Sequence, residues 1–142
     1  MNTKLANDAW ESLLTAHATL MRGFAETEVW QGASIREYDV LYTLSKCHEG
    51  TRISDLQQHV LLSQPALSRL VDRLEERGLV ERCEDPGDAR ARRVSLTEAG
   101  RELQRSIGRA HAHDVAEAMA RLTTEELEIL TSLSHKLVRS TS

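Results

Sequence analysis

Apolar side chains recur along most of the chain with the 3.6-residue period of an α-helix, and over one stretch with the two-residue period of a strand. Leu5, Ala9, Leu13, Ala16 or His17, Leu20 and Phe24 form one stripe, widened by Ala6, Trp10, Leu14 and Met21, which predicts a helix over 5–25. An apolar arc this broad needs more than one partner surface. Residues 26–33, with Gly32, read as a connection. Ser34-Ile35-Arg36-Glu37 is a capping box, the serine capping forward and the glutamate reaching back. Its helix is expected to run to about Lys46, with Ile35, Val40, Leu41 and Leu44 inward, and to stop at His48-Glu49-Gly50. Ile53 reads as a short extended residue, Ser54 as the cap of a short helix from Asp55 to Val60, and Leu61-Leu62 as a tight turn.

The next stretch, Ser63 to Arg77, is the most informative. Ser63 can accept a bond from an orphan N–H of the first turn, and Pro65 is tolerated there because its missing N–H would have had no helical partner. Leu67, Leu70, Val71 and Leu74 share one face, while Gln64, Ala66, Ser68, Arg69 and Arg73 lie off it. Gly78 closes the helix. Leu79 to Cys83 alternates like a strand, Glu84-Asp85-Pro86-Gly87-Asp88 is turn chemistry, and Arg92 to Leu96 is the return strand. That predicts a hairpin with a long, charged tip. Thr97 caps a long helix to about Ala120, in which Gly100 and Gly108 weaken the helix and permit close packing or bending. Thr123 to Glu126 is a second capping box, opening a last helix to about Val138.

Two helices joined by a short turn and followed by a hairpin predict a winged helix-turn-helix over 34–97. The fold class is mainly α, an α+β winged helix-turn-helix within a single domain over 1–142. Helices 5–25 and 98–138, from the two termini, flank the winged lobe and are expected to dimerise. A dimer would set two exposed helix faces about one DNA turn apart, roughly 10 bp, and so read a near-palindromic duplex.

Composition bears on this picture in two places. The net charge of −4 argues against a nucleic-acid binder, yet residues 63–97 carry seven basic and seven acidic groups, with Arg90, Arg92 and Arg93 clustered. Placement matters more than the total. Arginines outnumber lysines 15 to three, and the guanidinium fork suits phosphate and guanine. No apolar run approaches the ~20 residues needed to span a bilayer, and no secretory signal opens the chain, so a cytoplasmic location without membrane contact is expected. Glycine-rich phosphate loops, metal-ligand sets and catalytic triads are missing from the sequence, so neither an enzyme, a cofactor nor a metal is expected.

The residues resemble the MarR family of bacterial transcription regulators. Leu62-Ser63, Arg73-Leu74-Glu75, Gly78-Leu79-Val80 and Arg82 match its recognition-helix pattern. Asp85-Pro86, Asp88, Arg90, Val94, Leu96-Thr97 and Gly100 match its wing signature. The resemblance implies a homodimeric operator-binding regulator, usually a repressor released by a small phenolic or other anionic molecule, or by oxidation. It implies that Arg90 enters the minor groove and that Asp88 holds the hairpin tip. Ala89 departs from the pattern, where the family often has another arginine.

The expected DNA-contacting set is Ser63, Gln64, Pro65, Ala66, Ser68, Arg69, Arg73, Asp88, Arg90 and Arg92. Trp10, His17, Asp39 and Tyr42 are the candidate lining of an effector pocket, which in the family lies between the dimerisation helices and the lobe. Cys47 and Cys83 make no disulfide framework and read as ordinary semi-buried thiols. The alternatives are a redox or metal sensor of the same fold, using Cys47 or Cys83 or the histidines, and a protein-interaction winged helix without a DNA role. His111 and His113, two apart, do not share a helix face.

Overall fold

The computed structural model describes residues 1–139. Helix α1 spans Thr3–Ala25 and α2 Ile35–Ser45; a short strand, β1, Thr51–Arg52, leads into α3, Ile53–Leu56, and a 3₁₀ turn, Gln57–His59. Helix α4 spans Gln64–Glu76, strands β2 and β3 span Val80–Asp85 and Asp88–Leu96, and helices α5 and α6 span Glu98–Met119 and Thr124–Val138. The strands form one antiparallel sheet in the order β1-β3-β2. The chain divides into two compact units: Ala25–Ala110, and Met1–Phe24 together with the chain from His111 onward.

Local chemistry sets most helix ends. Ser34 Oγ accepts the Glu37 N–H at 3.0 Å, and Glu37 Oε1 accepts the Ser34 N–H at 2.9 Å. Thr123 and Glu126 repeat the arrangement at the start of α6. Each box satisfies two N–H groups that an isolated helix end leaves bare. Gly78 closes α4 in the left-handed region, at φ +72°.

Two local expectations are corrected. Ser54 does not cap the short helix. Pairing with Val94 and Arg93 holds Thr51 and Arg52 extended, so the helix starts directly after that ladder, at Ile53, and leaves Ser54 inside its first turn. Only four residues are α-helical before the 3₁₀ turn, and Val60 is already extended. The hairpin tip is also shorter than the charged run suggested. Strands β2 and β3 reach Asp85 and Asp88, so the turn itself is Pro86-Gly87.

The core of the Ala25–Ala110 unit joins Val40, Leu41 and Leu44 of α2 to Leu67, Leu70, Val71 and Leu74 of α4, with Val80, Val94 and Leu96 from the sheet. Each such side chain contributes roughly 1.5–3 kcal/mol by leaving water. In the other unit, neither α1 nor α6 buries a single residue. Leu5, Trp10 and Leu14 on α1 and Ile129, Leu133 and Leu137 on α6 are all more than half exposed. Phe24 and His111 meet edge to face there, with ring centroids 5.1 Å apart.

Candidate nucleic-acid interface

Burying Leu67, Leu70, Val71 and Leu74 turns the opposite face of α4 to solvent. Ser63, Gln64, Pro65, Arg69 and Arg73 are exposed there, with Ala66 and Ser68 half-buried at its edges. Ser63 Oγ accepts the Ala66 N–H at 3.3 Å. Its own hydroxyl proton stays available to donate outward. No acidic residue lies between Ser63 and Val71; Asp72, Glu75 and Glu76 all sit in the second half of the helix. The free N–H end of a helix already favours anions. The first half of α4 is therefore the electropositive half.

Two of the acids are occupied. Arg82 on β2 donates from Nη1 to Glu75 and from Nη2 to Asp72, each at 2.7 Å. This double contact ties the hairpin to α4 and leaves Arg69 and Arg73 outside every described ion pair.

The hairpin has an irregular ladder. Glu84 pairs with Arg92, but Asp85 pairs with Asp88, so positions 89, 90 and 91 of β3 have no counterparts on β2. Bulges of this kind re-aim side chains, and Arg90 sits inside this one. Asp88 Oδ1 accepts the Arg90 backbone N–H at 3.0 Å. The acid thus orders the arginine's main chain and is not hydrogen-bonded to its guanidinium. Arg90 and Arg92 are exposed and form no ion pair among the described residues, whereas Arg93 is drawn inward toward Asp85 and donates to the Gly50 carbonyl at 3.3 Å.

Asp85 also holds the turn, beside Asp88, to which the resemblance assigns the hairpin tip. The Asp85 side chain is 2% exposed and contacts Arg52 Nε at 2.6 Å. Its other oxygen accepts the Gly87 N–H at 2.8 Å. The Arg52 hydrogen bond, helped by that N–H, holds the Asp85 carboxyl down to about 2. A carboxyl with a depressed folded-state value stabilises the fold fully above its unfolded value. That contribution falls away from about pH 4 toward about pH 2. Asp85→Asn should therefore lower the urea midpoint at neutral pH and flatten its acid dependence over that window. Parallel midpoint-versus-pH curves for the two proteins would contradict this.

The candidate effector residues fall in separate units. Trp10 and His17 lie exposed on α1. In the other unit, Asp39 faces Arg36 at 3.6 Å, Tyr42 stacks on Tyr38 with centroids 6.1 Å apart, and Lys46 lies 4.3 Å above the Tyr42 ring. Cys83 is exposed rather than semi-buried, because it lies on the hairpin away from the core; Cys47 is half-buried. Among the described residues no three His, Cys, Asp or Glu side chains converge as metal ligands, and no helix is long and apolar enough to cross a membrane.

A short helix, a turn, a second helix with an exposed polar face and a hairpin beside it define a winged helix-turn-helix protein. Residues 34–91 match the model of the MarR family, and over that stretch the chain is similar to that family. A MarR family regulator from Streptomyces coelicolor, solved in complex with DNA, is 26% identical with a TM-score of 0.81, over 96% of this chain and 88% of that one. AbsC from the same organism is 28% identical with a TM-score of 0.77, over 94% and 91%. The PcaV regulator, also from Streptomyces coelicolor and solved with its natural ligand, shares the fold at 23% identity and a TM-score of 0.70, over 94% and 92%.

Proposed function

We propose that the chain is a homodimeric repressor that binds a near-palindromic operator and is released by a small anionic or phenolic effector. The observation that carries DNA binding is the pairing pattern of the arginines. Arg82 and Arg93 are engaged within the fold, while Arg69, Arg73, Arg90 and Arg92 are exposed and outside the described ion pairs. In this reading the first half of α4, with Ser63, Gln64, Pro65, Ala66, Ser68, Arg69 and Arg73, enters the major groove. The hairpin, with Arg90, Arg92 and the ordering Asp88, reaches the adjacent minor groove. That a similar regulator was solved in complex with DNA supports DNA binding.

Dimerisation is supported by the exposed stripes of α1 and α6. Contiguous exposed apolar surface on a protein of this size marks an interface, and an isologous pairing of helices from both termini would cover both stripes. Cytoplasmic action is the proposed setting, and gene control without catalysis the proposed role. An effector would act by binding better to a conformer whose two α4 helices have the wrong spacing.

The test is to select duplexes from a randomised library with the full chain and titrate salt. Binding should show two chains per duplex, with log affinity falling by about 0.9 per phosphate contacted for each tenfold rise in salt. Recovery of no salt-sensitive duplex would favour a winged helix that binds protein instead.

A further inference from the structure

We propose that Arg52 is a positioning residue for DNA binding: acting through Asp85, it fixes the direction in which the hairpin presents Arg90. This rests on the reading above that Arg90 contacts DNA.

The sheet order is β1-β3-β2, so Arg52 on β1 and Asp85 on β2 are on opposite edges. The Arg52 side chain reaches past the middle strand to bond a carboxylate at the far end of the hairpin, at 2.6 Å. That carboxylate lies where the ladder changes register and the turn begins. One of its oxygens faces Arg52 and the other takes the Gly87 N–H, so a single side chain joins the sheet to the turn. Arg93 also approaches Asp85, at 3.3 Å, but its Nε makes no hydrogen bond. Arg52 therefore makes the directional contact.

The register change leaves positions 89–91 without ladder partners on β2. A bulged segment takes its direction from what flanks it. On one side is regular pairing from Arg92 onward; on the other is the turn that Asp85 holds. Releasing Asp85 would leave Arg90 attached to the strand but no longer aimed. A binding group held loosely loses contact free energy even when its own chemistry is intact.

Arg52 is 40% exposed at its side chain, so a direct phosphate contact is the competing explanation. A mutant cycle on the full chain and the duplex selected by the wild-type protein separates the two. Arg52→Gln should weaken binding by about tenfold, Asp85→Asn should do the same, and their combination should be no worse than either alone. Arg52→Gln should add little to Arg90→Ala, since misaiming an absent side chain changes nothing. Hydrogen exchange should accelerate over residues 80–96 and stay unchanged over α4. If Arg52→Gln does not fold, Arg52→Lys retains the charge but not the guanidinium fork, and should show the same pattern more weakly. Additive losses from Arg52→Gln and Arg90→Ala, or a normal affinity for Asp85→Asn, would overturn the proposal while leaving the role of Arg90 intact. If Arg90→Ala itself binds normally, both fall.

Discussion

Replacing Arg90 by alanine is expected to weaken binding to the selected duplex by roughly 5- to 150-fold per wing, the equivalent of about 1–3 kcal/mol. The side chain is exposed, lies in the unpaired part of β3 and forms no described ion pair. Asp88 bonds its backbone rather than its guanidinium. A narrow minor groove concentrates negative potential and rewards an inserted guanidinium. A dimer would lose two such contacts. The core does not involve Arg90, so the melting temperature should stay near that of the wild type. Anisotropy titrations beside thermal melts read both. Affinity within twofold of the wild type would show that this arginine has no groove to enter.

Gly100→Ala should be the most destabilising single methyl in the molecule. A Cβ built there would lie 2.0 Å from the Leu79 carbonyl oxygen and 3.0 Å from its carbon. That carbonyl accepts the Thr97 N–H at 3.1 Å, and Thr97 Oγ1 in turn accepts the Gly100 N–H at 3.1 Å. The clash is thus with backbone at the corner joining β2 to α5, and neither segment can yield without breaking a bond. Helix propensity returns only about 1 kcal/mol for the change, while overpacking costs about 1–3 kcal/mol, and more against rigid backbone. A loss of about 3 kcal/mol is expected. Gly108→Ala meets the Tyr38 hydroxyl at 3.0 Å and the Gln104 amide at 3.2 Å, both side-chain ends, and should cost less. Gly23→Ala meets nothing within 4 Å and should be neutral or slightly stabilising. Urea unfolding would rank the three. A midpoint for Gly100→Ala at or above that of Gly23→Ala would refute the steric account.

The legible parts of the fold are those fixed by neighbours in sequence. Capping boxes work over three residues, so Ser34–Glu37 and Thr123–Glu126 could be read directly. The face of α4 follows from four apolar positions, and Gly78 from its need for positive φ. The close approach at Gly100 was legible as a weak point in a helix, though not its partner, Leu79. What stayed hidden depends on distant pairings. Arg52 and Asp85 are 33 residues apart. Two aspartates flank the turn, and residue order alone does not say which one is buried. The early start of α3 depends on β1 pairing with a strand some 40 residues later. Arg82 appeared as part of a pattern, but its clamp on Asp72 and Glu75 needed the hairpin folded back on α4. On α1 the apolar stripe was plain, while nothing in a single chain names its partner.

Glu37 gives the lobe an uneven leverage. The carboxylate that closes the capping box of α2 also faces Arg77, the C-cap of α4, at 3.7 Å. With Arg82 on Asp72 and Glu75, this ties the second half of α4 and its C-cap to their surroundings. The helix is 13 residues long, about 20 Å at 1.5 Å per residue. A tilt of roughly 5° about Arg77 would swing Ser63 by about 1.7 Å over that length. Half a hydrogen-bond length is enough to put a side chain out of register with a base edge. A small rotation of α2 would be felt most strongly where α4 begins, at the end with no acidic residues.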